Sequence, residues 1–272
     1  MTTLTEKELL RAKLIARRAN VSTSCALLKS QRICKQLQHT LDQYIHSPKL
    51  PENDCANYRV GMSPYTNNMT CGAYTIGVYA PLLSEVDISL FTEYAYRAHC
   101  AVAFPCLTHS DALPQTLHPT CTNTNKSTYT ATCEQTPYSA ISYGDSSDNA
   151  IASAPPRTNN TMRSMCMRAV SYEAYKARKA PFITHPVKVF DDDTCKPLYR
   201  LVEPHELDML IVPLVGFNHQ GQRLGYGGGF YDRYLPLLAD RCVVIGVGFT
   251  EQYSAYIPTE PYDITLPTII SA

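Results

Sequence analysis

No stretch of this chain approaches the ~20 consecutive apolar residues that cross a bilayer, and neither sign of charge gathers into a long run. Lysine plus arginine number 24, aspartate plus glutamate 24, and the formal net charge is zero. Phosphate backbones are gripped by clustered cations, so nucleic-acid binding is disfavoured as the main role. The opening "MTTLTEKELLRAKLIARR" is charged throughout and lacks the apolar centre of a secretory signal, so a cytoplasmic protein is expected. Eleven cysteines include no CxxC, which argues against a zinc cage or a thioredoxin-like pair. In a reducing compartment they read as small buried hydrophobes or free thiols. The eight histidines contain no HExxH, and the serine-rich stretches contain no GxSxG elbow, so neither zincin nor hydrolase chemistry is indicated. "DDD" at Asp191 to Asp193 fails as a calcium loop, since its sixth and twelfth positions are Lys196 and Val202.

What is present is an alternation of helix and strand patterns. Leu4 to Arg18 and Ser24 to Tyr44 read as two helices, with Ser22 as the cap between them and Leu27, Leu28, Ile33, Leu37 and Leu41 near helical spacing. His46 to Gly72 reads as a loop. "AYTIGVYAPL" (Ala73 to Leu82) reads as a buried strand, followed by a helix from near Asp87 and a strand over Cys100 to Leu107. Residues Thr108 to Ser164 turn rich in Ser, Thr, Asn and Pro and lose their apolar runs, as a mobile insertion would. Order returns with Met165 to Val170 and the short helix "SYEAYKARK". The nearly unbroken apolar run Leu207 to Phe217 reads as a central strand, with a helix over Tyr231 to Ala239 and a strand over Cys242 to Phe249 after it. Two strand–helix–strand units predict an α/β fold: a mainly parallel central sheet with helices on both faces, Rossmann-like and three-layered, with a long inserted loop segment. One domain spans 1–272, with 108–164 inserted within it.

Only 12 glycines serve all 272 residues, yet four fall in "RLGYGGGFYDRYL", Arg223 to Leu235. Glycine is costly to order, so a run of three demands a sharp bend or a close approach. The run sits where a strand leads into a helix, the place where open α/β sheets bind ligands. The bare amides of Gly225, Gly227, Gly228 and Gly229 could wrap an anion at the helix start. GxGxxG fails at Phe230, and GxxxxGK[ST] fails for want of a lysine, so a tight packed turn stands beside phosphate binding. Asp232 reads as a helix cap or, beside phosphates, as a magnesium ligand.

Three blocks resemble the 5-formyltetrahydrofolate cyclo-ligase (5,10-methenyltetrahydrofolate synthetase) family. They are "LIVPLVGFNHQGQRLGYGGGFYDRYL", "IGVYAPLLSEVD" and "EKELLRAKLIARR", supported by "YKARKAPFITHP" and "EPYDITLP". The resemblance implies an ATP-dependent, Mg²⁺-assisted cyclisation of 5-formyltetrahydrofolate to 5,10-methenyltetrahydrofolate, releasing ADP and phosphate. The formyl oxygen attacks the γ-phosphate, and the neighbouring folate nitrogen then closes the ring as phosphate departs. Such chemistry asks the protein for positioning and charge neutralisation rather than a nucleophile.

By the same resemblance, ATP would meet Lys7, Glu8, Leu9, Leu10 and Arg11 on the first helix. It would also meet the loop Arg223, Leu224, Gly225, Tyr226, Gly227, Gly228, Gly229, Phe230 and Tyr231. The folate would meet Arg11, Ala80, Glu85, Tyr226, Gly227, Gly228, Gly229 and Phe230, and Mg²⁺ would meet Asp232 and Asp263. Lys7 and Arg11 share a helix face, so one ligand can reach both; balanced by Glu6 and Glu8, they also read as a solvated face. Aromatic faces at Tyr226, Phe230 and Tyr231 suit stacking on pterin or adenine, and equally suit core packing. The chain departs from the family at its two long insertions, at Pro267 in place of an acidic residue, and at Tyr226 where some members carry arginine. The implied partners are the two small substrates, with neither nucleic acid nor membrane, on a monomer or weak homodimer. Two rivals stand beside this reading: a folate or nucleotide binder without turnover, and a sugar-phosphate isomerase or CoA-transferase-like α/β enzyme.

Overall fold

The computed structural model describes residues 4–46, 74–109, 163–191, 195 and 197–272, all within one compact unit. The loop expected at 46–72 and most of the insertion expected at 108–164 lie outside these residues. The ends of that insertion are described, and they correct its boundaries. Thr108 and His109 close one strand, Arg163 and Ser164 open the next, and the two pair directly, Thr108 with Ser164 and His109 with Arg163. The polar composition hid both strand ends, because Thr108 and Ser164 are buried and their hydroxyls share a 3.2 Å hydrogen bond.

Two helices open the chain, α1 (Glu6–Ala19) and α2 (Thr23–His46). Thr5 and Glu8 form a reciprocal capping box on α1. Ser22 caps α2 by accepting the Cys25 N–H. Ile33, Leu37 and Leu41 of α2 face the core as their spacing requires, whereas Leu27 and Leu28 are exposed. There follow β1 (Thr75–Gly77), α3 (Ser89–Arg97), β2 (Ala101–His109), β3 (Arg163–Ala169), α4 (Tyr172–Lys176), α5 (Pro181–Thr184), β4 (Leu201–Val202) and β5 (Met209–Pro213). A hairpin of β6 (Gly216–Phe217) and β7 (Arg223–Leu224) leads to α6 (Phe230–Tyr234), β8 (Val243–Gly248) and β9 (Thr268–Ser271).

The main sheet has seven strands in the order β4-β3-β2-β1-β5-β8-β9. Strands β2, β1, β5, β8 and β9 run parallel, and β3 and β4 continue antiparallel at one edge. Alternation along β5 sends Met209 and Ile211 to one face and Leu210 and Val212 to the other. The first face packs against α2, α3 and α5 through Leu37, Phe91 and Phe182; the second packs against α6 and the turn after it through Tyr234 and Leu235. Helices thus cover both faces of a mainly parallel sheet, as the two strand–helix–strand units predicted.

Three expected elements differ. The strand expected at Ala73 to Leu82 keeps its sheet geometry only over Thr75–Gly77, and the chain then leaves toward a turn at Leu82–Glu85. The run Leu207 to Phe217 splits into β5 and the separate β6. Val215 and Phe217 are apolar because they pack elsewhere, Val215 with Leu14 of α1 and Phe217 against the Tyr253 ring. The helix expected over Tyr231 to Ala239 is the five-residue α6 followed by a 3₁₀ turn, Leu235–Leu237, where Pro236 removes a donor.

Candidate active site

From β1 the chain crosses through α3 to β2 on one side, and from β5 it crosses through α6 to β8 on the other. The carboxyl ends of β1 and β5 therefore flank the point where the winding reverses, the crevice in which open α/β sheets hold ligands. The end of β1 feeds the turn carrying Ala80 and Glu85. The end of β5 feeds the β6–β7 hairpin and the glycine loop. Helix α1 ties these connections together. Its Leu14 packs so close to Gly216 that any side chain at 216 would collide with it.

Along one stripe of α1, Lys7 reaches the segment of Glu260 and Asp263, Arg11 reaches the glycine loop, and Arg18 reaches both that loop and the turn after β1. Lys7 Nζ lies 2.6 Å from Asp263 Oδ2 and 2.8 Å from Glu260 Oε2. Burial opposes the Lys7 charge, but these two carboxylates outweigh it and raise its pKa. Arg11 Nε donates to the Gly225 carbonyl at 2.8 Å, and its guanidinium lies beside Gly227. Arg18 Nη2 donates to the Tyr226 hydroxyl at 2.6 Å, and Arg18 Nε to Ser84 Oγ at 3.3 Å. Glu8 is occupied at the helix cap, Leu9 is exposed, and Leu10 packs beside Leu14.

The glycine loop needs its glycines. Gly227 has φ 97° and Gly229 φ 61°, a left-handed region that residues with a Cβ enter only at a cost. Tyr226, Gly227 and Gly228 are exposed, so the bend lies open rather than packed under the sheet. Phe230 and Tyr231 instead pack on the core face, with the Arg233 guanidinium 5.3 Å from the Phe230 ring centre. Of the three candidate stacking rings, Tyr226 alone is exposed, at 42 %.

Arg223, at the base of the loop, turns inward. Its Nη2 donates to Asp232 Oδ1 at 2.7 Å, and the Ile264 N–H donates to the same oxygen at 3.2 Å. Asp232 is the third residue of α6, not its cap; Gly229 holds the cap position. The Ile264 contact brings the carboxyl-bearing segments of Asp232 and Asp263 to one corner. Among the described residues no group of three or more His, Cys, Asp or Glu forms a metal cluster. A cation held by this pair of aspartates would therefore complete its shell with phosphate oxygens and water, as magnesium commonly does.

Glu85 is buried, its side chain 5 % exposed. Oε2 accepts the Leu82 N–H at 2.8 Å. Desolvation raises its pKa, against the Leu82 N–H, the Tyr226 hydroxyl and the Arg18 charge, which pull it down. The charge of this carboxylate also raises the pKa of Tyr79 and Tyr231, and Tyr226 is pushed up to about 12 by burial and by Glu85. Ala80 is buried at the start of the segment leading to this turn, whose tip, Leu83, is exposed. The structure thus brings Lys7, Arg11, Glu85, Asp232, Asp263 and the glycine loop to one end of the sheet. Sequence reasoning missed Arg18 and Glu260. Arg18 follows Arg11 by two helical turns on the stripe already marked by Lys7, and that spacing was the available signal.

Residues 156–272 match the 5-formyltetrahydrofolate cyclo-ligase family. The matched stretch holds β3 to β9, the glycine loop and both aspartates. A 5-formyltetrahydrofolate cyclo-ligase of Mycoplasma pneumoniae is 41 % identical over 69 residues, 25 % of this chain and 42 % of that protein. The Escherichia coli enzyme of the same name is 44 % identical over 66 residues, 24 % of this chain and 36 % of that protein. The chain thus aligns with less than half the length of these curated relatives. A solved 5,10-methenyltetrahydrofolate synthetase from Mycoplasma pneumoniae superposes with a TM-score of 0.53 at 20 % identity, covering 98 % of each chain, which establishes a shared fold.

Proposed function

We propose that this protein is a 5-formyltetrahydrofolate cyclo-ligase of the cytoplasm, a monomer or weak homodimer, using ATP to form 5,10-methenyltetrahydrofolate. One observation carries the reading: at the switch point of the sheet, an open glycine loop lies between two basic residues of α1 and a buried carboxylate. The exposed amides of Gly227 and Gly228 receive phosphate oxygens. Arg11, already seated on the Gly225 carbonyl, presents its remaining N–H groups along the same edge. Lys7 exchanges its partners Glu260 and Asp263 for phosphate charge. Glu85 orients the formylated end of the folate beneath Tyr226. The formyl oxygen bonds to the γ-phosphorus as ADP leaves. The neighbouring folate amine then attacks the activated carbon and loses its proton, and inorganic phosphate departs with the former formyl oxygen.

Asp232 and Asp263 would hold Mg²⁺, which when bound supplies charge neutralisation on the phosphates. Asp232 accepts its hydrogen bonds through Oδ1 and Asp263 through Oδ2, so the other oxygen of each is the one offered to a cation.

The test follows methenyltetrahydrofolate absorbance with 5-formyltetrahydrofolate and ATP, omitting and then restoring Mg²⁺. Absorbance should rise only with both substrates and the metal. Asp232→Asn keeps an acceptor for Arg223 and should raise the Mg²⁺ concentration needed for half-maximal activity about tenfold or more. Nucleotide and folate binding without product would leave a binding protein and refute the reading. Asp232→Ala is the poorer variant, because it strands the buried Arg223.

A further inference from the structure

Arg18 is buried to 3 % exposure, an unusual fate for a charged side chain on a surface helix. Its opposite charge, Glu85 Oε1, lies 3.9 Å from Arg18 Nη1, and both atoms are buried without a hydrogen-bond partner. A pair serving only stability would close to bonding distance, since burying two unmatched charged atoms costs folding free energy. The guanidinium instead spends its other nitrogens on the Tyr226 hydroxyl and on Ser84. Ser84 is itself held at φ 65° without being glycine, a strained conformation in the turn that presents Glu85. The phenol of Tyr226 in turn lies against Glu85. One side chain of α1 thereby touches the glycine loop and the β1 turn together.

We infer that Arg18 is a positioning residue of the site: from the buried side it sets the Glu85 carboxylate and fastens the Tyr226 end of the glycine loop to the β1 turn. It acts through these two residues rather than on the transferred phosphate. The inference rests on the proposed cyclo-ligase reading for its substrate, but its geometry stands without it.

Four groups share the electrostatic surroundings of Glu85: Arg18 from α1, Tyr226 from the loop, Tyr79 from the segment after β1 and Tyr231 from α6. Of these, Arg18 is the cation. Its removal takes away one of the influences opposing burial, so Glu85 takes up a proton at still higher pH. Folate binding through the carboxylate then fails at a higher pH on the acid side.

The experiment compares wild type, Arg18→Gln, Arg18→Lys and Tyr226→Phe by steady-state kinetics across pH and by amide hydrogen exchange without ligand. Arg18→Gln should raise KM for 5-formyltetrahydrofolate about 10- to 100-fold, with KM for ATP changing less. It should shift the acid limb of the folate profile upward and speed exchange in 82–85 and 225–229. Arg18→Lys should recover part of each effect. Tyr226→Phe, which removes one oxygen and threatens folding least, should speed exchange in the loop and shift the profile the same way by less. A folded Arg18→Gln or Tyr226→Phe protein with unchanged folate KM, acid limb and loop exchange would overturn the inference. An inactive wild type whose loop exchange still answers to Arg18 would instead refute the cyclo-ligase reading and leave Arg18 as the fastening of the loop.

Discussion

The two ends of helix α1 carry cations that do opposite things. Lys7 sits 19 % exposed between Glu260 and Asp263, in closed contacts of 2.8 and 2.6 Å. Arg18 is buried, and its pair with Glu85 stays open at 3.9 Å. Water reaches the first end, so its ion pairs are weak and, under the proposed function, would be traded for an incoming phosphate. The second end is dry, so its charge is fixed in place and costly to disturb. Exchange at one end and fixed geometry at the other suit the proposed reaction, in which a mobile triphosphate would meet a rigidly held acceptor.

The comparison breaks most visibly in stability. Arg18→Met strands Glu85 and should cost about 3 kcal/mol in urea unfolding, whereas Lys7→Met should cost under about 1 kcal/mol. Adding Glu85→Gln to Arg18→Met should return part of the loss; equal costs for the two single variants would erase the distinction. Nucleotide affinity should show the reverse ranking. By calorimetry, Lys7→Met should weaken ATP binding about 10- to 100-fold, and Arg18→Met should do so less.

The smallest effect is in the pH dependence. The folded pKa of Lys7 lies above its ordinary value of 10.5, so its contribution to stability is full below that pH and is lost as pH rises through the folded pKa. Between neutral pH and pH above 10.5, wild type should therefore lose slightly more melting temperature than Lys7→Met. Parallel curves would show that the Lys7 contacts contribute nothing.

The frame was legible because buried parallel strands are written as apolar runs, and β2, β5 and β8 each are. The limits of those runs were not. Val215 and Phe217 continue the apolar text of β5 although they belong to a hairpin, since periodicity records burial and not the surface that does the burying. Thr108 and Ser164 look like loop residues because their buried hydroxyls satisfy each other across a strand pair, a match 56 residues apart in the chain. At the site, Lys7, Arg11, Glu85 and the glycines were marked by spacing and by resemblance. Arg18 escaped because a charge on a helix reads as solvated until its neighbours are known. Asp232 was expected as cap or metal ligand, and its partner Arg223 emerged only once the hairpin set β7 against α6.

The most direct measurement is residue-resolved hydrogen exchange on the intact protein, with and without a non-hydrolysable ATP analogue and Mg²⁺. The account predicts slowed exchange at the amides of 225–229 and at the start of α1, with little change along β3 and β4. Unchanged exchange in 225–229 at saturating nucleotide, or protection confined to another part of the sheet, would contradict it.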